Sequence, residues 1–419
     1  MTNPNENSRR ARGDKSARSS RVIRHGRAGT LPRGRSVLGF IGIVLAVVLV
    51  SATSVAAIAV WDLSHSAKTT QLEGPPPGIG AIEGGFNVLL VGTDTRDGQS
   101  NNYGENPGSS LNDVTMIIHV SKDHKNVTVV SIPRDMVVPI AECAGGGGGW
   151  TGPINATLNE GGVACINKTV EELTGLKIPY AGMVTFDAVV GLSKAVGGVR
   201  VCVNAAIDDP YTNLKLSKGW HTLAGWGALA FLRTRHGVGD GSDLGRISNQ
   251  QVFLSALMRK IKSESVLTNP LTLYSMAKVM VSNMTLSTSM GNPDTLVSMA
   301  MALKNIELKN IVFVQYPGIL GAPGVYAGKV KPDEAAAATL FDALSKDLPV
   351  VVTGGLGRGS VAGTAPVVKT TPTPTPTASG TKKPTATPTP TPTATAKPVA
   401  LDSSITGQSA DQYTCSKAN

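Results

Sequence analysis

Zinc hydrolysis, serine hydrolysis and P-loop nucleotide binding each leave a signature, and this sequence has none of them. None of its six histidines falls in an H-E-x-x-H arrangement, and neither a G-x-S-x-G elbow nor a G-x-x-x-x-G-K-[ST] loop occurs. Cysteine is scarce: Cys143, Cys165, Cys202 and Cys415 are the only four, and no two have zinc-site spacing. Acidic residues are also few, 29 against 39 basic ones, for a net charge of +10. That excess is local. Residues 1–36 hold ten Arg and Lys but only Glu6 and Asp14, a net +8, which leaves about +2 for the rest of the chain. The basicity therefore belongs to a tail that lacks the apolar side chains to build a core, and it does not argue for nucleic-acid binding by the folded part.

Residues 37–60 carry no charged side chain. At 1.5 Å per residue such a run makes about 36 Å of helix, enough to cross a hydrocarbon core of roughly 30 Å with some tilt. The Arg-rich flank precedes the run and Trp61-Asp62 follows it. The positive-inside rule then predicts a single-pass protein of the cell membrane, with a cytoplasmic N-terminus and an extracellular C-terminal domain. A cleaved signal peptide is the alternative, favoured by Ala52, Ala56 and Ala57, but the run is longer than a signal core. In an oxidising compartment the four cysteines can form two disulfides. Cys143 and Cys165 flank the run Gly145 to Gly149, which a bridge between them would pin. A tie from Cys415 back to Cys202 is the expectation for the other pair, although spacing alone does not fix connectivity.

The predicted organisation is a basic disordered cytoplasmic tail (1–36), a transmembrane helix (37–60), a Pro/Gly-rich spacer (61–85), a folded domain (86–352) and a disordered tail (353–419). The tail is dominated by alternating Thr and Pro from about 364 to 398, which favours extended polyproline conformation. Within the folded part, 86–91, 115–120 and 127–132 are short β-rich runs, and Ser121 to Asn126 suits a hairpin. Ile247, Phe253, Leu254, Leu257, Met258 and Ile261 share one face of a long helix starting near Gly245. Further helices are predicted over 168–173, 186–195, 223–232, 271–281, 295–303 and 333–344. Strands followed by a majority of helices imply a layered α/β domain.

If the first and third runs are parallel and the middle one antiparallel to both, one sheet edge collects charge. It receives Asp94 and Arg96 from Gly92-Thr93-Asp94-Thr95-Arg96, Asp113 ahead of the middle strand, and Arg134 and Asp135 from Ser131-Ile132-Pro133-Arg134-Asp135. Two carboxylates converging with arginines suit a phosphate ester held by a divalent cation. Oxygen ligands favour Mg2+, which takes only one or two protein carboxylates and keeps several waters. The guanidinium fork binds phosphate oxygens in pairs. A second cluster, Arg233-Thr234-Arg235-His236 and then Asp243, Arg246, Gln250 and Gln251, completes the set. Arg246 and Gln250, four apart, share a face near a helix N-terminus. A structural salt-bridge network is the competing reading for Asp94, Asp113 and Arg134, and a solvated surface is that for Arg233 and Arg235. His236 reads as a polar neighbour.

In this order, Asn87-Val88-Leu89-Leu90-Val91-Gly92-Thr93-Asp94-Thr95-Arg96, Asp113, Ser131-Ile132-Pro133-Arg134-Asp135, Asn155-Ala156, Gly161-Gly162, Gly197-Gly198-Val199, Arg233-Thr234-Arg235 and 243–251 resemble the LytR-CpsA-Psr family of cell-wall phosphotransferases. The resemblance covers about residues 86–265. It implies a three-layer α/β/α extracytoplasmic domain with a mixed central sheet. The implied activity is transfer of a phosphoglycan from a polyprenyl-pyrophosphate carrier to peptidoglycan. By motif, Asp94 and Asp113 would hold Mg2+, Arg134, Arg233, Arg235 and Arg246 would grip the pyrophosphate, and Asp243 and Gln250 would support them. Arg96 joins the substrate-binding set. Asp135 or Asp113 is the candidate base for the acceptor hydroxyl. One departure stands out: the family often carries arginine two residues before its second metal-site aspartate, where this chain has Leu111. The alternatives are a non-catalytic scaffold that binds the lipid or wall glycan, and a pyrophosphatase using the same site. The apolar helices 186–195 and 271–281 either line a groove for the polyprenyl chain or, more commonly for such stripes, pack in the core.

Overall fold

The computed structural model describes residues 33–74, 77, 84–96, 98, 99, 103, 108, 110–263, 266, 269–366 and 397–419. Most of the expected basic tail and of the Thr/Pro tract falls outside them. The chain divides into Met1–Ala57 and Ile58–Asn419. Helix α1, Arg33–Ser66, contains the predicted span and extends past both of its ends. Among the described residues no helix is long and apolar enough to cross a membrane; several side chains of 37–60 lie outside that description.

In the second unit an eight-stranded mixed sheet forms the centre. Its first four strands in the chain are β1 (Lys68–Thr70), β2 (Phe86–Thr93), β3 (Asn112–Val120) and β4 (Val127–Ile132). Across the sheet the order is β1, Met284–Ser287, Tyr180–Val184, β2, β3, β4, Ile311–Gln315 and Gly407–Ser409. β3 is antiparallel to both β2 and β4, with Val91 opposite Thr115 and Thr115 opposite Ile132. The predicted arrangement of the three runs therefore holds, and the predicted hairpin joins β3 to β4.

Alternation on these strands feeds two cores, because successive side chains point to opposite faces. Leu89, Val91, Ile117, Val130 and Ile132 pack with Ile166 and Val170 of α2 (Thr157–Thr174) and with Leu340 and Phe341 of helix Glu334–Ser345. Val88, Met116 and Val129 pack with Ala188 of α3 (Phe186–Ala195) and with Met299 and Ala302 of helix Pro293–Lys304. Helices thus cover both faces, and β4 is buried along its whole length. α4 (Trp226–Arg233) and α5 (Asp243–Ser263) follow the hairpin of Ile207–Asp209 with Leu214–Leu216. The predicted helices 168–173, 223–232, 271–281, 295–303 and 333–344 all appear, shifted or lengthened at their ends, as α2, α4, Pro270–Asn283, Pro293–Lys304 and Glu334–Ser345.

Two boundaries need correction. β1 lies within the expected spacer and pairs in parallel with Met284–Ser287. The expected tail 353–419 also contributes structure: Gly407–Ser409 pairs with Ile311–Gln315, while Thr414–Ser416 joins a second sheet between Val199–Val203 and Ser360–Ala362. Strands of two or three residues carry too little alternation to be read beside a Thr/Pro tract. Gly359 shows how tightly this part closes, since a Cβ there would meet Gly245 O at 2.0 Å. Disulfides join Cys143 to Cys165 and Cys202 to Cys415, the expected pairs.

Candidate functional site

At the edge formed by the end of β2, the start of β3 and the end of β4, the backbone first fixes Asp94. Its amide donates to Leu111 O (3.2 Å), and Leu111 N donates to Asp94 Oδ1 (2.8 Å). The departure at position 111 thus falls on a residue whose backbone holds the carboxylate. Burial pushes the Asp94 carboxyl above its ordinary value and the nearby Asp113 charge adds to this, against the Leu111 amide, which lowers it. Two half-buried carboxylates that repel one another suit a bound cation. Among the described residues no group of three or more His, Cys, Asp and Glu could hold a metal ion; a cation here would have Asp94 and Asp113 as its protein carboxylates.

Arg134 is the hub of the edge. Its Nη1 lies 2.5 Å from Asp113 Oδ1, and its Nε lies 3.7 Å from Asp135 Oδ2 and 3.9 Å from Asp243 Oδ1. Its backbone N–H donates to Asp243 Oδ2 at 3.1 Å. Burial disfavours its charge, but Asp113, Asp243 and Asp135 together outweigh that and raise its pKa. Asp243 opens α5 and also holds Arg246 Nη2 at 2.6 Å, while the same Nη2 donates to Asp113 O (2.8 Å). Gln250 Nε2, one helical turn further, donates to Leu232 O (3.0 Å) and so ties α5 to α4. Asp135 sits between Arg134 and Lys329, whose Nζ is 3.4 Å away, and lines neither cavity described below.

Arg233 ends α4 with its guanidinium 4.5 Å from the centroid of the Phe186 ring, a cation–π contact. Burial, and then Arg96, pull its pKa down, so Arg96 reaches the cluster as a charge. The Nε atoms of Arg96, Arg134 and Arg246 are buried without a hydrogen-bond acceptor. Buried donors of this kind are expensive unless something accepts from them.

Two cavities, each of about 190 Å³, meet here. The polar one is lined by Arg134, Arg233, Arg235, Arg246, Asp113 and Asp209, with Tyr211, Thr212 and His236. Four guanidiniums against two carboxylates leave it at +2. The apolar one runs between α3, α4, α5 and the sheet, past Leu90, Met116, Phe186, Val189, Leu229 and Leu254. Asp113, Arg233 and Arg246 line both. Of the two apolar helices considered from the sequence, α3 borders this cavity and Pro270–Asn283 does not.

Nothing in the spacing pointed to Asp209. It is 1% exposed, accepts from Thr234 Oγ1 (2.5 Å) and Arg235 N (3.3 Å), and so binds the hairpin tip to the arginine segment. These hydrogen bonds hold its pKa below the usual carboxylate value despite burial. Tyr211 and Thr212 were missed for the same reason. The only available hint was the Asp208-Asp209-Pro210 turn sequence, which is common in loops.

The LytR_cpsA_psr family profile matches residues 47–343. The chain belongs to the LytR-CpsA-Psr family. It is 30% identical over 319 residues to the cell wall biosynthesis protein LcpA of Corynebacterium glutamicum, covering 68% of this chain and 60% of that one. To the polyisoprenyl-teichoic acid–peptidoglycan teichoic acid transferase TagT of Bacillus subtilis it is 33% identical over 186 residues, 43% of this chain and 54% of TagT. It thus spans less than two thirds of the length of these relatives. A LytR-Csp2A-Psr enzyme from Actinomyces oris shares the fold, with a TM-score of 0.50 at 21% identity over 67% of this chain and 96% of that one. Of the motif residues quoted from the sequence, Asp113, Arg134, Arg233, Arg235 and Arg246 line the polar cavity of this chain, and Asp135 does not.

Proposed function

We propose that this protein transfers a phosphoglycan from a polyprenyl-diphosphate carrier to peptidoglycan. The observation that supports this most is the junction of an apolar cavity with a polar one of net charge +2 at Asp113, Arg233 and Arg246. A lipid diphosphate has the same order of parts. Its chain leaves water for the apolar cavity at a gain of roughly 25 cal/mol per Å² buried, and its phosphates accept from the guanidiniums. The printed names of LcpA and TagT point the same way.

In this reading an acceptor hydroxyl attacks the phosphorus that carries the glycan. A new P–O bond forms, the acceptor hydroxyl gives its proton to Asp113 or a water beside it, the bond to the carrier phosphate breaks, and polyprenyl phosphate leaves with the electron pair. Arg134, Arg233, Arg235 and Arg246 neutralise the charge that moves onto the leaving oxygen, and Arg96 adds to their field. Asp243 fixes Arg134 and Arg246, and Gln250 fixes the α4–α5 contact. Asp94 and Asp113 would hold Mg2+, which supplies further charge neutralisation when bound. Of the two candidate bases only Asp113 lines the site. The apolar run 37–60 would keep the domain at the membrane surface, where the carrier resides.

The test is a transfer assay on the full chain in detergent with a synthetic polyprenyl-diphosphate glycan, peptidoglycan strands and Mg2+, read by mass spectrometry. A glycan-phosphate adduct that falls about 10²–10³-fold with Arg134→Ala is expected, the size of effect seen when one charge-stabilising donor is lost. Lipid binding with no adduct would mean a scaffold, and phosphate release without transfer a pyrophosphatase.

A further inference from the structure

The lipid and diphosphate reading leaves one wall of the polar cavity without a task. Tyr211 sits at the tip of the hairpin Ile207–Asp209 with Leu214–Leu216, 77% exposed, and its ring centroid lies 4.4 Å from that of His236 at 35°. Both rings line the cavity that holds the four arginines. The pair is held in place from below. Asp209 Oδ1 accepts from Tyr211 N (3.0 Å), and Oδ2 takes Thr234 Oγ1 and Arg235 N, so the hairpin tip and the segment leading to His236 share one buried carboxylate. On the far side, His236 O accepts from Asn419 Nδ2 at 3.0 Å. Beside the rings, Thr212 Oγ1 is buried without a hydrogen-bond partner.

Exposed aromatic rings on a tethered turn beside a bank of guanidiniums ask for a ligand with an apolar face, polar edges and an adjacent anion. A pyranose joined to phosphate has all three: its axial C–H bonds lie against the negative face of an aromatic ring, and its hydroxyls pair with a side chain. We infer that Tyr211 and His236 form a platform for the first sugar of the donor, on the opposite side of the diphosphate from the apolar cavity. This rests on the proposed lipid-diphosphate function and adds to it the determinant of sugar recognition. An ordinary surface tyrosine would not need its backbone anchored to the same buried aspartate that holds Thr234 and Arg235, the residues leading to its ring partner.

The experiment measures binding of the full chain in nanodiscs to two probes, polyprenyl diphosphate and polyprenyl diphosphate N-acetylglucosamine. Wild type should hold the glycosylated lipid about tenfold more tightly, Tyr211→Ala should erase the difference without changing affinity for the bare lipid, and Tyr211→Phe should keep it. If Tyr211→Ala does not fold, His236→Ala reads the same difference. Equal affinity of wild type for the two probes overturns the platform, as does an equal loss of both with Tyr211→Ala. Wild type binding neither lipid defeats the function on which the platform rests, a separate result.

Discussion

Arg134 Nη1 lies 2.5 Å from Asp113 Oδ1, which ties the loop after β4 to the start of β3 at one sheet edge. Both side chains keep about a fifth of their surface, 22% and 24%, so solvent screens the pair in part. Its loss matters mainly through what it leaves behind. Arg134 also lies near Asp135 and Asp243, but these keep Lys329 and Arg246, so Arg134→Met would strand the Asp113 carboxylate. We expect a loss of about 2 kcal/mol in urea unfolding, below the range for fully buried pairs. Adding Asp113→Asn to Arg134→Met should recover part of it. If the two losses simply add, the residues are uncoupled and the edge is not a network.

Asp94 gives a prediction with a definite pH sign. Its carboxyl is raised above 3.8 by burial and by Asp113. The folded state therefore holds that proton more tightly than the unfolded chain, and stability falls as pH climbs from the unfolded value through the folded one. Near neutral pH, without divalent cations, Asp94→Asn should melt higher than wild type, since Asn Oδ1 can still accept from Leu111 N. Mg2+ should raise the wild-type Tm and chelator reverse the rise, with little effect on Asp94→Asn. A variant that melts lower at neutral pH and shares the full Mg2+ response would remove Asp94 from the cation site.

The charged edge was legible because its residues sit at or just beyond the ends of short apolar runs with turn residues between them. Once 86–91, 115–120 and 127–132 were placed, geometry brought Asp94, Asp113 and Arg134 together. Arg246 and Gln250 followed from helical spacing. Asp209 and Tyr211 were illegible because their importance comes from a contact between two loops, 25 residues apart for Asp209 and Thr234, which no period records. The segment 397–419 was misread because composition upstream of it reads as spacer, and Cys415 alone hinted that the chain returns.

That return has a measurable consequence. Thr414–Ser416 completes the sheet of Val199–Val203, and Cys415 is bonded to Cys202 across 213 residues. Lys417 O accepts from Gly239 N (2.8 Å) and Asn419 N donates to Gly237 O (3.2 Å), both on the segment between Arg235 and Asp243. Replacing both cysteines by alanine should cost roughly 2–5 kcal/mol through loss of a long-loop crosslink. Deleting 397–419 should do more, because it also exposes the edges of Ile311–Gln315 and Val199–Val203, and aggregation is expected. Light scattering and thermal melts of the two variants separate these effects. A truncated chain that stays monomeric with an unchanged Tm would show that the segment is dispensable.

The two cavities can also be separated by mutation, because they share Asp113, Arg233 and Arg246 but differ in every aliphatic residue. Val189 lines only the apolar one, on α3, and it is partly buried. Val189→Trp should fill that space with an indole while leaving the guanidiniums where they are. Binding of a long-chain polyprenyl diphosphate should then fall more than about tenfold, as expected when several methylenes at about 0.8 kcal/mol each lose their burial. Inorganic pyrophosphate, which needs only the arginines, should compete as before. Equal weakening of both ligands would mean that the indole disturbs the arginine cluster. Loss of neither would place the lipid chain outside the apolar cavity, since a chain that does not enter it is indifferent to its closure.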